Sequence, residues 1–299
     1  MKLGGVSVGR RTNHTGKRKR GCLRRILLLF LLVGGSLWFY HYSNNSLRVE
    51  HFTYASTRLP EGFDGCRIVV LSDLHAKEFG EHNERLLSVL KSLAPDYIFI
   101  SGDLVDRKTA EPLRYAADTA ASLSAIAPSY YVTGNHEWAC RCAVKDLKKT
   151  LRDADVTVMS NEFLRLYRGD DVIYLAGIDD PNGSAEQKTP EKLAEEVKAV
   201  TDGFWLLLAH RSDRFESEYS LLGADLTVSG HAHGGLIRLP FTDGLIGNDH
   251  TLFPSYTAGF YEANGNTVLV SRGLGNSKPA FRLFNRPEIM VLTLERKEG

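Results

Sequence analysis

Ile68–His75 reads IVVLSDLH, and Leu226–Gly235 reads LTVSGHAHGG. Each is an apolar run that stops at residues able to ligate a metal. Three more stretches repeat the pattern: YIFISGDL (Tyr97–Leu104), YYVTGNHE (Tyr130–Glu137) and FWLLLAH (Phe204–His210). Runs this uniformly β-branched, aromatic and aliphatic read as strands covered on both faces. In an open α/β sheet, ligands gather beyond the carboxyl ends of the strands. Five such ends, if they converge, bring together Asp73, His75, Asp103, Asn135, His136, His210, His231 and His233. Those donors suffice for two cations.

The residue types point to a chemistry. A carboxylate between two cations can bridge them, and Asp103 on its GD turn suits that position. Asp73 and His75, two apart on one loop, can face one ion. His231 and His233 have the same spacing, so each can serve a different ion. Asn135 offers a neutral oxygen and His210 a further nitrogen. Mixed imidazole and carboxylate sets suit manganese, iron, zinc or nickel without selecting among them. Two such ions about 3.5–4 Å apart clamp the attacking and leaving oxygens of a phosphoryl centre, and bound water reaches a pKa near ~7. His136 follows a ligand directly and is the candidate to protonate a leaving oxygen or stabilise the transition-state charge. Glu137 reads as support rather than ligand. Asp106 and Arg107 stand either to touch substrate or to cap a helix. Asp179-Asp180 reads as a loop near the site.

The rest of the body alternates strands with helices. Helical spacing predicts Asn83–Leu93, Pro112–Ile126, Ala143–Arg152 and Pro190–Val200. Further strands are expected at His51–Arg58, Val156–Met159, Phe163–Tyr167, Val172–Ile178, Thr267–Ser271 and Glu288–Leu294. Asp243–Asn266 reads as an irregular, glycine-rich segment able to border the site. Together these predict an α/β fold with a mixed β core and helices outside.

The net charge of +1 conceals an asymmetry. Nine of the 37 basic residues lie in residues 1–25, which hold no acid. The remaining 28 face 36 acidic residues, so the body carries no electrostatic footprint for nucleic acid. The apolar run Ile26–Tyr40 (ILLLFLLVGGSLWFY) follows the basic cluster and ends in aromatic residues that resemble an interfacial belt. We expect residues 1–25 to be a basic cytoplasmic leader and 26–42 an uncleaved transmembrane signal anchor. Ser43–Ser46 reads as a short linker and 47–299 as the catalytic domain. The positive-inside rule then sets the body on the extracytoplasmic face of the cell membrane, in a single-pass arrangement. The four cysteines (Cys22, Cys66, Cys140, Cys142) form no CxxC pair, so they read as ordinary thiols and no zinc knuckle is indicated.

The motifs, taken in order, resemble those of the calcineurin-like metallophosphoesterases. They stand here as Asp73-Leu74-His75, Gly102-Asp103, Gly134-Asn135-His136-Glu137, His210 and Gly230-His231-Ala232-His233. The resemblance spans roughly Phe52 to Leu294. It implies a four-layer fold, a β-sandwich of two mixed sheets flanked by helices. It implies two divalent metal ions, one on Asp73, His75, Asp103 and His233, the other on Asp103, Asn135, His210 and His231. It implies His136 as the catalytic histidine. Gly62–His75, Ser229–Pro240 and Asn285–Leu294 are similar to the bacterial membrane-associated branch. That branch includes exported phosphodiesterases and UDP-2,3-diacylglucosamine pyrophosphohydrolases. The expected function is therefore hydrolysis of a phosphodiester or pyrophosphate, with a lipid- or envelope-linked phosphate ester as one class of substrate. The alternatives are a lipid-linked nucleotide-sugar pyrophosphatase, which needs a cytoplasmic site, and a non-catalytic metal-binding scaffold, which has no need of His136.

Overall fold

A computed structural model describes residues 4–5, 14–140, 142–183, 187–239, 243–247, 251–276 and 281–298, with side chains described at 4–5 and from residue 24 onward. The readings made for Cys22 and for most of the basic leader lie outside the described residues and side chains. The chain forms two compact units, Met1–Tyr42 and Ser43–Gly299.

The first unit is the greater part of helix α1 (His14–Asn45). Its stretch Arg24–Asn45 is 22 residues with mean hydropathy 1.6, long and apolar enough to cross a membrane. At 1.5 Å per residue it reaches about 33 Å, against a hydrocarbon core of about 30 Å. Leu27 to Leu32, Leu37 and Trp38 are all exposed, a surface suited to lipid rather than water. Helix α1 continues past the apolar run. Ser43 and Asn44, expected in a linker, are helical and buried in the second unit.

The second unit begins with β1 (Arg48–Ser56), β2 (Cys66–Leu71), α2 (Glu84–Leu93), β3 (Tyr97–Ser101), α3 (Pro112–Ser124), β4 (Ser129–Val132), α4 (Asn135–Ala139), α5 (Val144–Asp153) and β5 (Val156–Val158). It continues with β6 (Glu162–Arg168), β7 (Asp171–Ile178), α6 (Pro190–Val200), β8 (Trp205–Arg211) and β9 (Leu226–Gly230). The last elements are β10 (Ile237–Arg238), β11 (Gly244–Ile246), β12 (Gly259–Ala263), β13 (Asn266–Val270) and β14 (Glu288–Arg296). One six-stranded sheet has the order β1-β14-β2-β3-β4-β5, and the other β12-β13-β9-β8-β7-β6. Both are mixed: β2, β3, β4 and β5 run parallel while β14 opposes β2. In the other sheet β7, β8, β9 and β13 run parallel while β6 opposes β7.

Strand alternation builds the layers. Ile68, Val70, Phe99, Leu206, Leu208 and Val228 point between the sheets into one core. Val69, Leu71, Ile98 and Ile100 point the other way, under Leu86 and Leu90 of α2, Leu123 of α3 and Leu147 of α5. Trp205, Leu207 and Ala209 meet Leu193 and Val197 of α6. This is the four-layer α/β arrangement expected, and it explains why the central strands are apolar throughout.

Two features depart from the reading of the sequence. Asp243–Asn266 is not wholly irregular: it contains β11 and β12. Asn264 and Gly265, at φ 51° and 76°, turn β12 into β13, and an Asn-Gly pair is the strongest short signal for such a hairpin. The GNHE motif, to which no helix was assigned from sequence, opens α4, whose Glu137 accepts the N–H of Gly134 at 2.6 Å.

Leu208 is fully buried between the sheets. Leu208→Ala should destabilise the body by about 2–5 kcal/mol, read as a lowered denaturation midpoint. An unchanged midpoint would contradict the inter-sheet core.

Candidate metal centre

The eight residues singled out from sequence sit where β2, β3, β4, β8 and β9 end. Parallel strands put five loops at one edge of the sandwich. The loops turn sharply: Asp73 (φ 53°), His75 (49°), Asp103 (52°), His231 (71°) and His233 (51°) all occupy the left-handed region. Such conformations cost roughly 1–3 kcal/mol each and persist where the surroundings demand them. Gly102 lets the GD loop press against its neighbours. A Cβ there would lie 2.6 Å from the Gly134 nitrogen and 2.8 Å from His210 Nδ1.

Three groups of donors result: two share Asp103, and a third joins His75, Asp106 and His136. Asp73, His75, Asp103 and His233 form a fully buried set. His75 Nε2 lies 3.0 Å from His233 Nε2, and His233 Nε2 lies 3.2 Å from Asp73 Oδ1. Asp103, His210 and His231 form the second. His210 Nε2 is 3.3 Å from Asp103 Oδ2, 3.2 Å from Asn135 Oδ1 and 3.2 Å from His231 Nδ1. Distances this short between imidazole nitrogens and carboxylate oxygens suit a shared cation.

Each aspartate spends one oxygen on its own placement. Asp73 Oδ2 accepts from Ser72 Oγ at 2.5 Å and from the His231 N–H at 3.2 Å. Its Oδ1 is buried with no hydrogen-bond partner among the described residues. Asp103 Oδ1 accepts the His136 N–H at 2.8 Å, and Oδ2 faces the imidazoles. An unpartnered buried carboxylate oxygen is costly; a divalent cation accounts for it. His210 Nδ1 donates to the Ser101 carbonyl at 2.7 Å, which turns Nε2 inward as metal-binding histidines require.

Burial governs the protonation states. It pulls His75 down to about 4 and His231 to about 3, and holds His233 well below the usual imidazole range. Those rings are neutral at pH 7, with lone pairs available. Burial pushes Asp73 up to about 6. For His210, burial acts downward but is outweighed by Asp103, Asp73 and the Ser101 carbonyl, which leave it at about 10.

Further residues shape the site. Glu137, fully buried, accepts the N–H of Asp103 (2.9 Å), Gly134 (2.6 Å) and Val105 (3.2 Å), so one carboxylate ties the GD and GNHE loops together. Asp106 neither caps a helix nor lies free: its Oδ1 is 3.3 Å from His136 Nδ1. Helix α3 starts at Pro112 instead, with Glu111 before it. Asp179 binds Thr133 and Lys148, and Asp180 pairs with Arg211 at 2.7 Å, so both stay outside the two donor groups. Cys140 and Cys142 are free thiols with sulfurs 2.7 Å apart. Sequence reasoning missed Arg282 and Asn285, which hold the GHAHGG loop. Asn285 Nδ2 donates to the carbonyls of His233 and Gly235. Arg282 lies in no periodic or motif-like stretch, and Asn285 opens a stretch that resembles one branch of the family without marking its role at this loop.

A sandwich of mixed sheets whose strand ends surround a buried aspartate–histidine cluster defines a metal-dependent hydrolase of phosphate esters. The chain belongs to the calcineurin-like phosphoesterase family, whose model matches residues 66–235. It is 28% identical over 274 residues to the uncharacterized metallophosphoesterase YkuE of Bacillus subtilis (strain 168), covering 89% of this chain and 92% of that one. An uncharacterized metallophosphoesterase of Aquifex aeolicus is 27% identical, over 86% of this chain and 95% of its own. A zebrafish (Danio rerio) transmembrane protein with metallophosphoesterase domain is 29% identical over 80% of this chain, which spans 55% of that longer protein. Calcineurin-like phosphoesterases use two divalent metal ions, and the buried aspartate–histidine cluster could hold them.

A cation at His210 Nε2 must displace a proton. With His210 at about 10 and Asp73 at about 6, metal affinity should rise with pH between those values. The slope should be about tenfold per pH unit for the ion that uses His210. Calorimetry in buffers of different ionisation enthalpy should show one proton released per loaded centre near neutral pH. Zero release would contradict the His210–Asp103 pairing.

Proposed function

We propose that the protein is a dinuclear phosphoesterase, anchored in the membrane by α1, that hydrolyses a phosphodiester or pyrophosphate bond. In this reading Asp73, His75, Asp103 and His233 hold one ion. Asp103, Asn135, His210 and His231 hold the other, and His136 is catalytic. The observation that carries the reading is the sharing of Asp103 between two donor groups, with a partly exposed histidine alongside.

When bound, a pair of divalent ions supplies Lewis acidity to the phosphoryl oxygens and lowers the pKa of water toward ~7. The chain's own residues do the rest. Asp103, common to two donor groups, would be a ligand for both ions. Asp106 faces His136 Nδ1, which leaves Nε2 turned toward the centre, 4.0 Å from Asp103 Oδ2. From there Nε2–H can donate to the leaving oxygen. Glu137 fixes the loops that carry Asp103 and Asn135, so the donors need not reorganise during the reaction.

The membrane reading rests on the apolar part of α1, on the nine cations that precede Ile26 and on relatives named as transmembrane proteins. The positive-inside rule sets the body on the extracytoplasmic face. The substrate is then a phosphate ester at or near the membrane surface. Protease added to intact cells should cleave the body; full protection would reverse the orientation.

Activity on bis(p-nitrophenyl) phosphate with manganese or iron should fall about 10²–10⁴-fold in His136→Ala, with metal content kept. Asp103→Ala should lose both ions, whereas His231→Ala should lose one. Wild-type activity no higher than that of Asn135→Ala and His136→Ala would overturn the enzymatic reading.

A further inference from the structure

Arg282 is a buried cation, 2% exposed, beside the metal centre. Its direct partners are mostly carbonyls rather than carboxylates. Nε donates to the Gly275 carbonyl at 3.2 Å and to Asn276 Oδ1 at 2.6 Å. Nη2 donates to the carbonyls of Gly275 (2.6 Å) and Arg272 (2.8 Å). Nη1 reaches the His233 carbonyl at 3.4 Å, and Nη2 lies 3.3 Å from His233 Nδ1. The guanidinium therefore backs His233 on the side away from Asp73 and His75.

The peptide of Arg282 is itself gripped by Asn44, a residue 4% exposed. Asn44 Oδ1 accepts the Arg282 N–H at 3.0 Å, and Asn44 Nδ2 donates to the Arg282 carbonyl at 3.3 Å. Asn44 Oδ1 also accepts from Asn276 at 2.9 Å, the same residue whose Oδ1 holds Arg282 Nε. Lys77, two residues past His75, donates to the Asn44 carbonyl. Asn44 thus touches chain segments that lead to two donors of one group, His75 and His233.

We propose that Asn44 and Arg282 are positioning residues for His233, so that a residue in the last turn of the N-terminal helix sets the affinity of one of the two ions. The inference rests on the reading that His233 is a ligand. The physical basis is the role of outer contacts at metal sites, the loss of one weakening metal binding about 10–100-fold; Arg282 has only donors, so it holds His233 through the His233 carbonyl and the neighbouring loop carbonyls. Asn44 is unusual as such a contact because of where it stands in the chain. It lies two residues beyond Tyr42, a span of at most about 7 Å. Asn44 falls within the same compact unit as the metal centre.

The test uses the full-length chain in detergent, stripped of metal and titrated with Mn²⁺ by calorimetry, so the readout is binding rather than turnover. His233→Ala should abolish one binding event. Asn44→Ala should weaken that same event about 10–100-fold and leave the other unchanged. Arg282→Lys, which keeps the charge but loses the forked donors, should do likewise. Asn44→Asp, which keeps the acceptor for Arg282 and Asn276, should fall between Asn44→Ala and wild type. If Asn44→Ala does not fold, Arg282→Lys carries the test. Equal weakening of both events, or of neither, in Asn44→Ala and Arg282→Lys overturns the proposal while leaving His233 as a ligand. Two intact events in His233→Ala would instead remove the reading on which it rests.

Discussion

The placement of the Asp103 carboxylate is the constraint on which the site depends. One oxygen is pinned by the backbone N–H of His136, and the other faces His75 and His210. Its backbone is left-handed at φ 52°, and its own N–H is held by the buried Glu137. The aspartate is thus determined from three directions. A carboxylate so held can meet two cations without reorganising, which is where a polar site gains most over water.

The sandwich makes that placement possible. β2, β3 and β4 deliver their ends side by side because they run parallel in one sheet. β8 and β9 do the same in the other. The two sheets face each other across a core of Ile68, Phe99, Leu208 and Val228, so the two sets of ends open at one edge. Rigid strands carry the loops, and the loops carry strain that the packing beneath them sustains. The pattern also explains why Glu137 is buried. One side chain satisfies three loop N–H groups that no strand can reach.

The apolar residues of helix α1 are exposed on all sides, and only at Ser43 does the chain become buried. Asn44, in the last turn of the helix, bonds to the loop that precedes β14. Local pattern did not reveal this, because Ser-Asn-Asn-Ser reads equally well as a solvated linker. The partners lie 238 residues away in the chain.

Much of the site was legible because metal ligation leaves a dense local signature. An apolar run ending in Asp-x-His or His-x-His, with glycine beside it, has few other uses. The layer order followed from strands apolar on both faces. α6 was legible from its threonine cap and leading proline, and the structure keeps both. The β12–β13 hairpin was equally legible in Asn264-Gly265, yet the surrounding glycines masked it. Arg282 and Asn44 were not legible at all, and Asn285 was marked only as part of a stretch resembling one branch of the family. Their importance comes from whom they touch, and isolated polar residues in irregular segments carry no periodicity.

The sequence by itself determined which residues offer metal-ligand chemistry, that they end buried strands, and that an apolar segment precedes them. Those properties depend on side-chain type and on period-two or helical spacing, which are local. Only the tertiary structure decided that Asp103 stands between two donor groups, that Asp106 faces His136, and that a buried arginine and asparagine back His233. Those relations join residues far apart in the chain, and burial beside one another gives them their energy.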